Sequence, residues 1–206
     1  MEQYVNKQRV FITGGAGFIG ANLTRYLLDE GGFDVTVYDN LAAGSKDNLE
    51  QATADFKQNG SVEFIEADIL DYESLSSAIS GHNAVVHLAA HTRVRESIRN
   101  PAEHLRVNSE GTFNVIEAAR REGVDRFVFA SSNAAVGEQI PPINESMIAK
   151  PLSPYGAVKL YGEALCSAYW SCYGLKTVSL RFANAYGPYS NHKTSVVSKF
   201  LKRIKE

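Results

Sequence analysis

Cysteine is scarce in this chain: only Cys166 and Cys172 occur among 206 residues. That excludes a small disulfide-stapled scaffold. The two lie six apart in a stretch with helical pattern, so they fall on different helix faces and are not expected to pair. Such usage fits a reducing cytoplasm. No apolar run approaches the ~20 residues of a membrane span. The opening Met1-Glu2-Gln3-Tyr4 lacks a basic-then-apolar signal pattern. Charge of one sign is also missing as a block, and the formal net charge is −2. Nucleic acid and membrane are therefore not expected as partners. The five histidines show no metal-ligand spacing with acids or cysteines. His87 and His91 are separated by the end of a strand, so no metal site is expected. Linkers, low-complexity segments and short repeats are likewise missing.

What is present is organised around Val10-Phe11-Ile12-Thr13-Gly14-Gly15-Ala16-Gly17-Phe18-Ile19-Gly20. β-Branched and aromatic residues read as a buried strand. Glycines follow, and then Phe18, Ile19, Leu23, Leu27 and Leu28 recur at helical spacing. In that context each glycine has a purpose. Gly14 suits a tight turn, Gly17 permits close approach of a pyrophosphate, and Gly20 lets helix pack on strand. The helix start then offers N–H groups and positive dipole to phosphates. Val35-Thr36-Val37-Tyr38-Asp39 reads as a second strand ending in an acid, 19 residues after Gly20. An acid there hydrogen-bonds an adenosine ribose and repels a 2′-phosphate, favouring NAD over NADP. The plain alternative is that Asp39 caps the next turn.

Strands and helices alternate along the rest of the chain. A helical pattern runs to about Phe56, a strand follows at 62–65, and a helix carries Tyr72, Leu75 and Ile79. A nearly all-apolar strand is expected at 84–88, as when both faces are covered. One long helix is expected after Pro101, through Leu105, Val107, Phe113, Val115 and Ile116. A strand at 126–130, a helix from Pro154 to about Tyr173 and a strand at 177–181 follow. Val196, Val197, Phe200, Leu201 and Ile204 again have helical period. Parallel strands need crossovers, so the expected fold is an α/β, Rossmann-type doubly wound parallel sheet with helices on both faces. Ligand is expected at the carboxyl ends of the strands, at the switch in strand order. The segments 14–20, 88–90, 131–132 and 181–184, with Asp39 and Asp68, all follow strand ends.

Tyr155 and Lys159 lie four apart, hence on one helix face. An ammonium beside a phenol favours the phenolate, which can take a proton from a sugar or alcohol hydroxyl. Ser132, at the end of the fifth strand, could share that proton. The bland reading is a packed tyrosine, a solvated lysine and a strand-ending serine. No G-x-S-x-G elbow surrounds Ser132, which disfavours a hydrolase nucleophile.

These motifs, in this order, resemble the extended short-chain dehydrogenase/reductases, specifically the NAD-dependent nucleotide-sugar epimerase/dehydratase family (UDP-glucose 4-epimerase-like). The resemblance rests on 13–20, Asp39-Asn40-Leu41, Asp68-Ile69, His87-Leu88-Ala89-Ala90 and Val94-Arg95-Glu96-Ser97. It continues through Asn108 with Gly111-Thr112, Ser131-Ser132, Pro154-Tyr155-Gly156-Ala157-Val158-Lys159 and the run 181–188. It implies that Gly14, Gly17, Phe18, Ile19 and Gly20 hold the NAD pyrophosphate. Asp39 and Asn40 would hold the ribose, Asp68 and Ile69 the adenine, and Leu88, Ala89 and Ala90 the nicotinamide half. It makes Tyr155 the base, gives Lys159 the nicotinamide ribose, sets Ser132 at the reacting hydroxyl and Asn184 at the sugar diphosphate. The implied activity is 4-epimerisation of a nucleotide-diphosphate sugar, a UDP-sugar, through a 4-keto intermediate, by a cytoplasmic homodimer. The pairing surface would come from the helices at 101–122 and 154–173, with Phe113, Leu160, Leu165, Tyr169 and Trp170 as apolar candidates.

Two departures qualify this. Dehydratases of the group carry acids after the Ser/Thr where this chain has Asn133 and Ala134, which favours epimerase. Val136 replaces the family's tyrosine, with no evident reason. The expected division is an NAD-binding domain at 1–190 and, at 191–206, only the start of a substrate-binding region. The C-terminal substrate part is thus largely absent. Two other readings stand beside the epimerase: a non-catalytic NAD-binding module, and a keto-sugar reductase or dehydratase of the same family.

Overall fold

A computed structural model of the chain describes residues 7–56, 60–190 and Arg203. The helical pattern expected at 196–204 and the boundary at 191 lie outside them, apart from Arg203. Six parallel strands form one sheet in the order β3-β2-β1-β4-β5-β6. They are β1 (Gln8–Thr13), β2 (Phe33–Asp39), β3 (Ser61–Glu66), β4 (Ala84–His87), β5 (Arg126–Ser132) and β6 (Lys176–Phe182). The first three strands step one way and the last three the other, so the order switches between β1 and β4.

Alternation along β1 sets the two layers. Val10 and Ile12 face α1 (Phe18–Glu30) and α2 (Lys46–Thr53), in a core with Val35, Val37 and Leu49. Phe11 faces the other way, with Val85, Phe127 and Phe129. That layer is closed by α3 (Tyr72–Ile79), α6 (Gly111–Arg121) and α7 (Pro154–Tyr173), through Leu75, Ile79, Val115, Ile116, Cys166 and Tyr169. Right-handed crossovers explain the segregation: reversing the direction of travel moves the helices to the opposite face. On the α1/α2 side, the outer end of the sheet is therefore uncovered among the described residues. Val178 is 54% exposed and Leu180 41%. The expectation of helices on both faces holds for the sheet, but not for each strand.

Helix ends follow local chemistry. Ser45, Asp71 and Ser153 cap α2, α3 and α7 by accepting the N–H of Asn48, Ser74 and Gly156. Pro154 starts α7 and left-handed Gly174 ends it.

Three corrections apply. The second helix stops at Thr53, not near Phe56, because Asp55 turns to φ 59°. An additional helix, α4 (Val94–Arg99), precedes Pro101. The single long helix expected after Pro101 is instead α5 (Pro101–Leu105), a π-turn at 106–110, and α6. The π-turn carries Asn108, whose side chain bonds sideways to another segment, as described below.

One glycine sets how close α7 lies to the sheet. A Cβ on Gly162 would stand 2.3 Å from Cζ of Phe129. Gly162→Ala is therefore expected to destabilise the fold by about 1–3 kcal/mol, as overpacking does. Urea unfolding measures it.

Candidate active site

The strand ends converge on a cleft of about 400 Å³. Each residue singled out from the sequence lines it: Gly14, Gly17, Phe18, Ile19, Gly20, Asp39, Asn40, Asp68, Ile69, Leu88, Ala89, Ala90, Ser132, Tyr155, Lys159 and Asn184. They come from six separate connections, brought together by the switch in strand order.

At one end the glycine turn meets the loop after β4. Gly14 sits at φ 71°, and a Cβ there would stand 2.6 Å from the Ala89 nitrogen. The helix α1 starts at Gly17 with no side-chain cap, so Gly17, Phe18 and Ile19 present helix-start backbone to the cleft. Asp39 is buried, and burial raises its pKa. One carboxylate oxygen accepts Ala16 N–H at 3.0 Å, the other Leu41 N–H at 2.8 Å. It thus caps its own turn and also holds the glycine loop. Asn40 Nδ2 donates to Asp68 Oδ2 at 2.9 Å, joining the ends of β2 and β3. A glycine cradle, an uncapped helix start and an acid at the end of β2 fit a dinucleotide.

At the other end stand Ser132, Tyr155 and Lys159. The solvated-lysine reading fails: Lys159 is 4% exposed. Its Nζ donates to the Ala130 carbonyl at 2.7 Å and lies 4.9 Å from the Phe129 ring and 5.8 Å from the Tyr155 ring. Burial lowers its pKa to about 8. The expectation of a lowered Tyr155 pKa is corrected. Burial of the phenol raises it, and a hydrogen bond with Ser132 only partly opposes this. The burial that desolvates Lys159 also desolvates the phenol and so penalises the phenolate.

Thr13, His87, Asn108, Thr112, Ser131 and Arg181 stand in the motifs quoted above without an assigned role, and Glu163 is not singled out there; the structure shows what they hold. His87 is buried, with Nδ1 2.7 Å from Thr13 Oγ1 and Nε2 3.0 Å from Thr112 Oγ1. Thr13 Oγ1 also accepts Ala89 N–H at 3.3 Å, which ties the β4 loop to β1. Burial first, and the Lys159 charge second, lower the His87 pKa to about 3, so the ring is neutral. Asn108 Oδ1 accepts His91 N–H at 2.8 Å and its Nδ2 donates to the His91 carbonyl at 3.0 Å. Glu163 accepts from Ser131 and pairs with Arg181, whose Nε and Nη2 reach it at 2.9 and 2.7 Å. Glu163 stands four residues beyond Lys159, so helical spacing was its available signal. Among the described residues, no group of three or more His, Cys, Asp or Glu could hold a metal ion. No helix among them is long and apolar enough to cross a membrane.

Fold and site together define a doubly wound dinucleotide-binding protein with Ser132, Tyr155 and Lys159 gathered at one end of its cleft. The chain belongs to the NAD dependent epimerase/dehydratase family, whose model matches residues 10–206. It is similar to the dTDP-glucose 4,6-dehydratase of Streptomyces niveus, 38% identical over 88% of this chain and 55% of that one. Among solved structures it resembles the Thermus thermophilus UDP-glucose 4-epimerase in complex with NAD. There the identity is 38% and the TM-score 0.78, over 88% of this chain and 57% of that one. It also resembles the Methanobrevibacter ruminantium UDP-N-acetylglucosamine 4-epimerase in complex with UDP-N-acetylmuramic acid. That match has 30% identity and a TM-score of 0.87, over 97% of this chain and 63% of that one. The chain spans 53–62% of the length of the curated relatives it matches.

Burial of Lys159 has a pH signature. The unfolded chain holds the lysine proton to about pH 10.5, the folded chain only to about 8. The destabilisation is full below pH 8 and is relieved as pH rises from there to 10.5. Its size is about 3 kcal/mol, less about 1 kcal/mol for the Ala130 hydrogen bond. Lys159→Met is expected to unfold at higher urea near pH 7, by about 2 kcal/mol, with the gain fading near pH 10. Paired urea titrations at the two pH values check it.

Proposed function

We propose that this chain is the cofactor domain of an NAD-dependent nucleotide-sugar 4-epimerase acting on a UDP-sugar. The carrying observation is the buried Lys159 beneath Tyr155, beside Ser132, at the end of the cleft away from Asp39 and Asp68. In this reading Gly14, Gly17, Phe18, Ile19 and Gly20 hold the pyrophosphate. Asp39 and Asn40 hold the ribose, Asp68 and Ile69 the adenine. Leu88, Ala89 and Ala90 line the nicotinamide half, and Asn184 meets the sugar diphosphate. Bound NAD supplies hydride acceptance and return. Tyr155 removes the proton of the sugar 4-hydroxyl, Ser132 holds that oxygen, and Lys159 binds the nicotinamide ribose. Its ammonium, and the positive nicotinamide, offset the desolvation of the phenolate. Tyr155 would return the proton to the same oxygen as the 4-keto sugar is reduced on its other face.

Relatives include both epimerases and dehydratases. Elimination needs an acid near the reacting carbons. Asp39 and Asp68 are the only Asp or Glu lining the described cleft, both at the adenosine end, with Asn133 and Ala134 following Ser132. This favours the epimerase.

The homodimer and a cytoplasmic site belong to the same proposal. Leu105, Phe113, Tyr161, Trp170 and Tyr173 are exposed on α5, α6 and α7, supporting a paired helical face, whereas Tyr169 is buried. Cys166 and Cys172 are both free thiols.

With the complete natural protein and UDP-glucose, the expected product is UDP-galactose with no net consumption of NAD. Tyr155→Phe is expected to abolish turnover and leave NAD bound, by calorimetry. Steady net oxidation of NADH would support a reductase instead. Light scattering at micromolar concentration is expected to give a dimer, and a monomer refutes that part.

A further inference from the structure

We propose that Ser97 is a positioning residue for Tyr155, setting the catalytic helix from the substrate side of the cleft. The proposal rests on the reading of Tyr155 as the base. In the first turn of α7 only the N–H groups of Tyr155 and Gly156 lack an intrahelical acceptor, because Pro154 has none and Ala157 bonds the Ser153 carbonyl. Ser153 Oγ accepts Gly156 N–H at 3.1 Å, and the Ser153 carbonyl accepts Ala157 N–H at 2.9 Å. The remaining donor is the backbone N–H of Tyr155 itself. It bonds Ser97 Oγ at 3.2 Å, reaching an element 58 residues earlier in the chain.

Ser97 is fully buried, and its own proton goes to the Val94 carbonyl at 2.7 Å. Val94 lines the cleft. The cleft wall and the backbone of Tyr155 are therefore two hydrogen bonds apart. This link adds little to helix formation, since a 20-residue helix with a serine cap and Pro154 is already well started. Its effect is on placement. Ser97 fixes the helix at Tyr155 N–H, and the Lys159 bond to Ala130 fixes it one turn later. Between these two pins the phenol hydrogen-bonds Ser132, whose oxygen accepts Ala134 N–H at 3.2 Å and whose proton goes to Asn133 Oδ1 at 3.2 Å. Releasing the first pin lets the phenol drift from Ser132 while the cofactor end of the cleft is untouched.

The test uses the complete natural protein with Ser97→Ala, Ser97→Cys, Tyr155→Phe and Asp71→Ala. Asp71 caps α3 through Ser74 N–H and does not line the cleft, so Asp71→Ala reports the cost of losing a cap alone. Both cap losses are expected to lower the melting temperature by similar amounts. Only Ser97→Ala is expected to lower kcat, roughly tenfold or more, with KM changed less than about twofold. Tyrosinate absorbance, taken as the difference from Tyr155→Phe, is expected to titrate at higher pH as the Ser132 bond is lost. Ser97→Cys keeps the volume with a weaker acceptor, and an intermediate kcat is expected. A parental kcat in Ser97→Cys or Ser97→Ala, or an equal kcat loss in Asp71→Ala, overturns the proposal. Turnover retained in Tyr155→Phe would instead overturn the reading beneath it, and the proposal with it.

Discussion

The hydrogen bond from Lys159 Nζ to the Ala130 carbonyl is the constraint on which the rest of the site depends. An ammonium that is 4% exposed is costly unless its environment is built for it. The carbonyl at the end of β5 takes one proton, and the Phe129 ring faces the charge at 4.9 Å. Both contacts require α7 to lie close on β5, which Gly162 allows. A second charge nearby would be repelled, and the neutral state of His87 avoids that repulsion. His87 is left free to serve as a bridge between Thr13 and Thr112. One buried cation thus links the spacing of a helix and the side chain on a neighbouring strand, and adds to the burial that keeps His87 neutral.

The cleft has its place because the strand order reverses between β1 and β4. There the connections leave in opposite directions, and a gap opens at the strand ends. The gap would be ill-defined if its loops moved independently. Asp39 holds the glycine loop, Thr13 holds Ala89, and Asn108 mimics a strand neighbour for His91. Each tie joins segments distant in sequence, so the walls are fixed relative to one another before any ligand arrives. The same reversal leaves Val178 and Leu180 exposed at the far end of the sheet. Among the described residues, the cleft is thus formed while the outer end of one sheet face is uncovered.

Periodic and punctuating signals were legible in the sequence. All six strands, the glycine turn and the start and end of α7 follow from alternation, glycine and proline. Most of the candidate site residues fall together because they sit at or just beyond a strand end, a property of position that survives small errors in boundaries; Tyr155 and Lys159 join them from the first turns of α7. What was illegible depends on tertiary partners. The π-turn at 106–110 has an ordinary helical sequence, and only the loop that Asn108 grips distinguishes it. The helix α4 is six residues long and held by contacts such as Ser97 with Tyr155. The direction of the Tyr155 shift was misjudged because helical spacing gives proximity to Lys159 but not the desolvation of the phenol. Val136 is buried at 2% exposure, and nothing in the structure explains the replacement.

The arrangement of charge along the cleft bears on which reaction of the family it suits. Asp39 and Asp68 lie at the β2/β3 end of the cleft, and Lys159 is the cationic side chain at the other. On the proposed reading, a proton taken from a sugar hydroxyl there would pass to Tyr155, with Ser132 as the adjoining hydroxyl. Loss of water from the sugar would need a second group to protonate a departing hydroxyl, and Asn133 and Ala134 cannot do so. Oxidation followed by reduction at the same carbon needs only one group that gives back what it took. Among the described residues lining that end of the cleft there is one phenol, one fixed cation and no acid, which supports the proposed reversible cycle at one carbon over elimination.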